Sequence, residues 1–254
     1  MTIPPIVVTC LVTLILGLLI WGVFFYMMAG RRKKFFWLFL PVLPLSLIVN
    51  LWVKAPLDLW VRTNFGITGG ISNLQPGWYI LFVLFLAPFT EELIKLVPII
   101  IPSFRKWILK DAVWVGMFSG LGFGLGEAAY LAYGVANSPQ FSSFAWYQFG
   151  GFMGERFVVF FIHAVLTSVF ITRIAKGGKH ILFGYIFAVV MHAVVNSGVI
   201  IFRLGWAGDW LPSGALTICV IGAAFIFENL RKQWIQQNRE GISEQDIIYF
   251  QREG

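Results

Sequence analysis

Seven apolar stretches, each close to twenty residues long, constrain this chain more than any other feature; they fall at about 5–29, 35–53, 77–101, 112–136, 149–172, 181–204 and 213–230. About 20 apolar residues make a helix long enough to cross a hydrocarbon core of about 30 Å. Within that core every backbone polar group must be satisfied by the chain itself, which leaves helices or a closed barrel. The pattern predicts an all-α integral membrane protein, a bundle of seven transmembrane helices. Composition agrees, with 58% hydrophobic and 12% charged residues and a mean hydropathy of +0.79, a balance foreign to soluble domains. Residues 1–230 read as a single membrane domain, and 231–254 as a cytoplasmic polar tail, a solvated helix or a disordered end.

The net charge of +7 calls for no nucleic acid and no acidic ligand, because the basic residues sit mainly in alternate loops. Arg31, Arg32, Lys33 and Lys34 follow the first span, Arg105, Lys106 and Lys110 the third, Arg173, Lys176 and Lys179 the fifth, and Arg231 and Lys232 the seventh. The opposite side holds only Lys54, Arg62 and Arg203 in loops or at span ends, with Arg156 near the outer end of its helix. The positive-inside rule then places the N-terminus outside and the C-terminus in the cytoplasm. The first span has its basic cluster behind it, the reverse of a signal peptide, and is expected to stay attached. Cys10 and Cys219 lie in spans at opposite ends of the chain and form no disulfide or zinc pattern.

The long outer loop from Lys54 to Gly77 carries Pro56 to Val61, readable as an interfacial turn, with a lid over a site as the sharper alternative. In the fourth span Gly116, Gly120 and Gly124 recur at four-residue spacing, with Gly122 and Gly126 one step round, which predicts close approach of neighbouring backbones.

Polar groups at membrane depth are few and fall on four consecutive spans: Glu91, Glu92 and Lys95, then Glu127, then His163, then His192 and Asn196. Each charged group at the bilayer centre costs about 2.5–3.5 kcal/mol on insertion scales, so these face protein or trapped water. Glu92 and Lys95, Glu91 and Lys95, and His192 and Asn196 are three or four apart, each set sharing a helix face. Glu91 and Glu92 point about a hundred degrees apart, so one can face a pocket while the other pairs with a base. Pro88 frees backbone groups just ahead of the acids, which predicts a hydrated cavity. Arg156 lies seven residues from His163 on nearly the same face, a supporting position or a snorkelling one. Taken singly, each polar residue reads as an interhelical hydrogen bond; together on adjacent spans they read as a site. Acids and imidazoles in a wet pocket suit proton relay, hydrolysis by a Glu-activated water or a Glu/His metal centre, and spacing leaves the three open.

Glu91-Glu92-Leu93-Ile94-Lys95 resembles the EExxK motif of the CAAX-protease and bacteriocin-processing superfamily, its PrsW-like branch above all. Phe123 to Glu127 resembles the second motif in its FxxxE form, where the CAAX proteases carry FxxxH. His163 resembles the third motif, and His192-Ala193-Val194-Val195-Asn196 the closing HxxxN. The Glu155-Arg156 pair, the basic first loop and the seven-span layout are also similar to the YhfC-like intramembrane proteases. The likeness covers about residues 85–200.

The resemblance implies an intramembrane endopeptidase of the prokaryotic cytoplasmic membrane with its catalytic core at about 77–204, acting on membrane-embedded or lipidated proteins and peptides. It implies water activation by Glu91 or Glu92 with Glu127, positioning by His163, and oxyanion stabilisation by His192 and Asn196, with Lys95 and Arg156 in support. Such enzymes are argued to be glutamic or metal-dependent, so the cofactor is either none or a divalent ion such as zinc, with Glu92, Glu127, His163 and His192 as candidate ligands. Two other classes compete with hydrolysis. One is a non-catalytic scaffold subunit resembling the seven-span one of gamma-secretase, and the other a proton-coupled transporter, which the lack of an internal repeat disfavours.

Overall fold

The structure is a computed structural model that describes residues 3–30, 33–69, 71–100 and 102–252; the side chains of 33, 98, 100, 102–110 and 239–252 lie outside the description. Arg31 and Arg32, and the side chains of Arg105, Lys106 and Lys110, which carry part of the loop charge pattern, are therefore outside it. Among the described residues there are helices and no strands. Seven helical segments are long and apolar enough to cross a membrane: α1 (Pro5–Met28), α2 (Lys34–Asn64), α3 (Gly77–Ile94), α4 (Asp111–Ala136), α5 (Trp146–Lys176), α6 (Lys179–Arg203) and α7 (Trp210–Asn238). The helix of α7 runs on to Arg252, so the polar tail continues it.

α4 is the central rod, with 89% of its most apolar stretch buried. It lies along α5 on one side and α2 on the other, while α6 and α7 pack on α5, α1 on α4 and α5, and α3 on α6 and α2. The glycine spacing accounts for this placement. A Cβ on Gly116 or Gly120 would run into the α5 backbone at Ser168 and at the His163 carbonyl, and one on Gly122 or Gly126 into the α2 carbonyls of Phe39 and Leu43. Two small-residue faces thus let one helix touch two neighbours at backbone distance. Trp21, Phe25 and Phe161 stack and Phe227 meets them tilted or edge-on, with ring centroids 4.7–6.2 Å apart, tying α1, α5 and α7 together.

Two boundaries differ from the sequence reading. α2 runs eleven residues beyond its expected end near Val53, because a π-helical turn at Asn50–Lys54 precedes Ala55–Asn64. Pro56, which lacks a donor, sits in the first turn of that last segment, where a missing N–H does no harm. The stretch 54–64 is thus helix, tied to α3 by the Tyr79 hydroxyl donating to Asp58 over 3.0 Å. The third span is shorter than expected. Its helix runs through Pro88 without interruption and stops at Ile94, whose carbonyl would need the N–H that Pro98 lacks. A turn at Lys95 and Leu96 and a short helix Val97–Ile100 follow, and the helix from Pro102 bends at Asp111, where φ is −127° and ψ 25°. The end of α3 leaves Lys95 just past the helix, free to reach inward.

Candidate functional site

All of the polar groups singled out in spans three to six come to one region of the bundle. His163 on α5 and His192 on α6 are each 13 residues from the loop that joins these helices, about 20 Å at 1.5 Å per residue, which sets the two imidazoles at the same level of the bundle. Glu91, Glu92, Lys95, His163 and His192 are all under 5% exposed.

The contacts form one chain of alternating charge. Arg156 donates from Nη1 to Oε2 of Glu127 over 2.9 Å and from Nη2 to Oε1 of Glu155 over 2.7 Å. The same Oε2 of Glu127 lies 3.0 Å from Nε2 of His163. On the other edge of that ring, Nδ1 is 2.9 Å from Nζ of Lys95, which donates to Oε1 of Glu92 over 2.6 Å. Glu92 Oε1 also accepts from Nδ1 of His192 over 2.7 Å. The two imidazoles stand edge to face with centroids 5.1 Å apart, and Lys95 rests 4.6 Å over the Phe123 ring.

This network fixes both histidine tautomers. An ammonium has donors only, so Nδ1 of His163 accepts from Lys95 and Nε2–H donates to Glu127. The carboxylate of Glu92 only accepts, so Nδ1 of His192 carries a proton, and in the neutral ring Nε2 keeps the lone pair. That Nε2 lies 3.8 Å from Oε2 of Glu91, an oxygen that is buried and without a hydrogen-bond partner. Two acceptors at that distance need a donor between them, and a water molecule with one O–H for each satisfies both.

Beside this point a cavity of about 450 Å³ is lined by Glu127, Arg156, His163, His192, Asn196 and Ser213 among others, between α5, α6 and α7. Asn196 faces it one turn along from His192. No described residue of 54–77 lines the cavity, although Lys54 of that segment reaches Glu91.

Sequence reasoning missed Lys54. Its Nζ donates to Oε1 of Glu91 over 2.7 Å, so a residue assigned to a loop is the ion-pair partner of a candidate catalytic acid. A signal was present: Ser46, Asn50 and Lys54 repeat at four-residue spacing, and Ser46 and Asn50 are buried on the inner face of α2. The second span is accordingly not apolar throughout.

Glu91, His163 and His192 offer ligand atoms within 4.8 Å of one another, a trio that shares its two histidines with the expected zinc set of Glu92, Glu127, His163 and His192. The donor chemistry does not fit a resident dication. His163 has spent its one lone pair on Lys95. Glu91, Glu92 and Glu127 are matched by Lys54, Lys95 and Arg156, so the three acids carry no excess charge to draw a cation. The chain matches no protein-family model, no curated protein and no solved structure.

Proposed function

We propose that this chain is an intramembrane endopeptidase that hydrolyses a peptide bond with a water held between Glu91 and His192. One observation carries the reading: Oε2 of Glu91 and Nε2 of His192 face each other across 3.8 Å, next to a cavity that His192 and Asn196 line. The order of the Glu91-Glu92, Glu127, His163 and His192 to Asn196 motifs, similar to that of the CAAX-protease and bacteriocin-processing superfamily, agrees with it.

Glu92 behind His192 makes a carboxylate–imidazole dyad, the arrangement that orients a general base and stabilises its protonated form. As the water oxygen bonds to the scissile carbonyl carbon, its proton passes to Nε2 of His192. The carbonyl π electrons move to oxygen, and the Asn196 amide stabilises that charge. When the C–N bond breaks, the imidazolium gives its proton to the departing nitrogen. Glu127 holds the His163 N–H and the Arg156 guanidinium, a positioning part rather than the water-activating one expected of it. The substrate class that follows is a membrane-embedded or lipidated protein, with the N-terminus outside and the C-terminus cytoplasmic by loop charge.

A second reading, a non-catalytic scaffold, has one observation in its favour: each buried acid already has a cation, the balance a purely structural network would show. Cleavage separates the two. The purified protein in proteoliposomes is offered a panel of single-span and lipidated reporter proteins. Hydrolysis by the wild type, lost in His192→Ala and Glu92→Gln proteins that still insert and purify, is the expected result. Equal cleavage by all three contradicts the assignment, and no cleavage with stoichiometric capture of another membrane protein favours the scaffold.

A further inference from the structure

A second and larger cavity lies at the opposite end of α6 from Asn196. It is a groove of about 670 Å³ between α5, α6 and α7, near the loop that joins α5 to α6. Its floor on α6 is Phe183, Ile186, Phe187 and Val190, at the three- and four-residue spacing of one helix face. These four side chains are 40–63% exposed. Ile226 and Leu230 of α7 form the facing wall. The mouth carries Arg173, Lys176 and His180, and among the described residues no acidic side chain lines the groove.

We propose that this groove binds one anionic phospholipid, its phosphate on Arg173, Lys176 and His180 and an acyl chain along the α6 face. Three features commit the site to that occupant. The cations lie at the end of the spans, where headgroups lie, and loop charge assigns that end to the leaflet rich in anionic lipid. Arg173 is seated: a Cβ on Gly184 would collide with its Cβ and Cγ, so its stem lies along α6 and delivers the guanidinium to the mouth. The groove also has the length of one leaflet. From His180 to Val190 is ten residues, about 15 Å of helix against half of a core of about 30 Å. A free phosphate would use the mouth and leave that apolar wall bare. Glu228, the nearest acid in sequence on α7, is engaged with Arg231 and Lys232 at 2.8–3.6 Å and leaves the mouth positive.

The test is native mass spectrometry of the full-length protein in detergent, titrated with phosphatidylglycerol and with phosphatidylcholine of the same acyl chains. One phosphatidylglycerol is expected to bind in preference, and the Arg173→Gln/Lys176→Gln protein to bind it about thirtyfold more weakly, each cation near a lipid surface contributing about fivefold. Glycerol phosphate at millimolar concentration is expected not to displace it. Equal retention of the two lipids, retention unchanged in the double variant, or displacement by glycerol phosphate alone each overturns the proposal.

Discussion

Lys95 donates to Nδ1 of His163 over 2.9 Å, and this one contact decides what the central imidazole can do. With Nδ1 accepting and Nε2–H committed to Glu127 at 3.0 Å, His163 has nothing left for a metal or a substrate proton. It joins α5 to α3 and α4. His192, whose Nδ1–H is held by Glu92, keeps the free lone pair. Two histidines of similar burial thus have different chemistry, set by the partner of one nitrogen.

The first prediction concerns metal. Wild-type protein dialysed against zinc is expected to hold less than stoichiometric metal, and its melting temperature to ignore a chelator. Removing the ammonium in Lys95→Ala frees Nδ1 and leaves Glu92 unpaired, a loss of about 3–5 kcal/mol, and zinc should then bind at Glu91, His163 and His192 and raise the melting temperature of that variant alone. Elemental analysis and thermal melts read both outcomes; one zinc per wild-type chain contradicts the charge argument.

Lys54 and Glu91 should behave as one unit. Lys54→Met strands a carboxylate that is 1% exposed, a loss of about 3–5 kcal/mol, while Lys54→Met with Glu91→Gln removes both charges and should recover most of it. A double-mutant cycle from denaturant melts is expected to give a coupling of about 3–5 kcal/mol, the size of the loss recovered. Additive losses would mean the two side chains do not meet.

Helix spacing gives a third test. Gly120→Ala drives a methyl group into the His163 carbonyl on α5 and should cost about 1–3 kcal/mol by overpacking, with loss of any His163-dependent activity. Gly134 on the same helix has open space around its Cβ position, so Gly134→Ala should gain up to about 1 kcal/mol from helix propensity alone. The sign difference between two identical substitutions is the readout.

Much of this was legible in sequence because membranes make polarity informative. Seven apolar runs gave seven helices, and a Glu, His or Lys in such a run has nowhere to go but inward. The glycine spacing of α4 likewise marked its two contact faces. What escaped reading was decided by proline in three dimensions. Pro56 looked like a loop residue and hid Lys54 inside α2, because a π turn at Asn50–Lys54 is invisible in composition. Pro98 cut α3 at Ile94, and Lys95 serves His163 only because the helix ends there. The choice between Glu91 and Glu92 lay beyond sequence altogether, since both are buried and only coordinates say that Glu92 backs His192 while Glu91 faces it.

The most direct measurement is a high-resolution map of the wild-type protein in lipid nanodiscs, with anomalous scattering collected at the zinc edge. One ordered water within hydrogen-bonding distance of both Oε2 of Glu91 and Nε2 of His192, with no anomalous peak, is the predicted result. A bridging ion there, or Glu91 and His192 turned to separate pockets with no shared water, would contradict it.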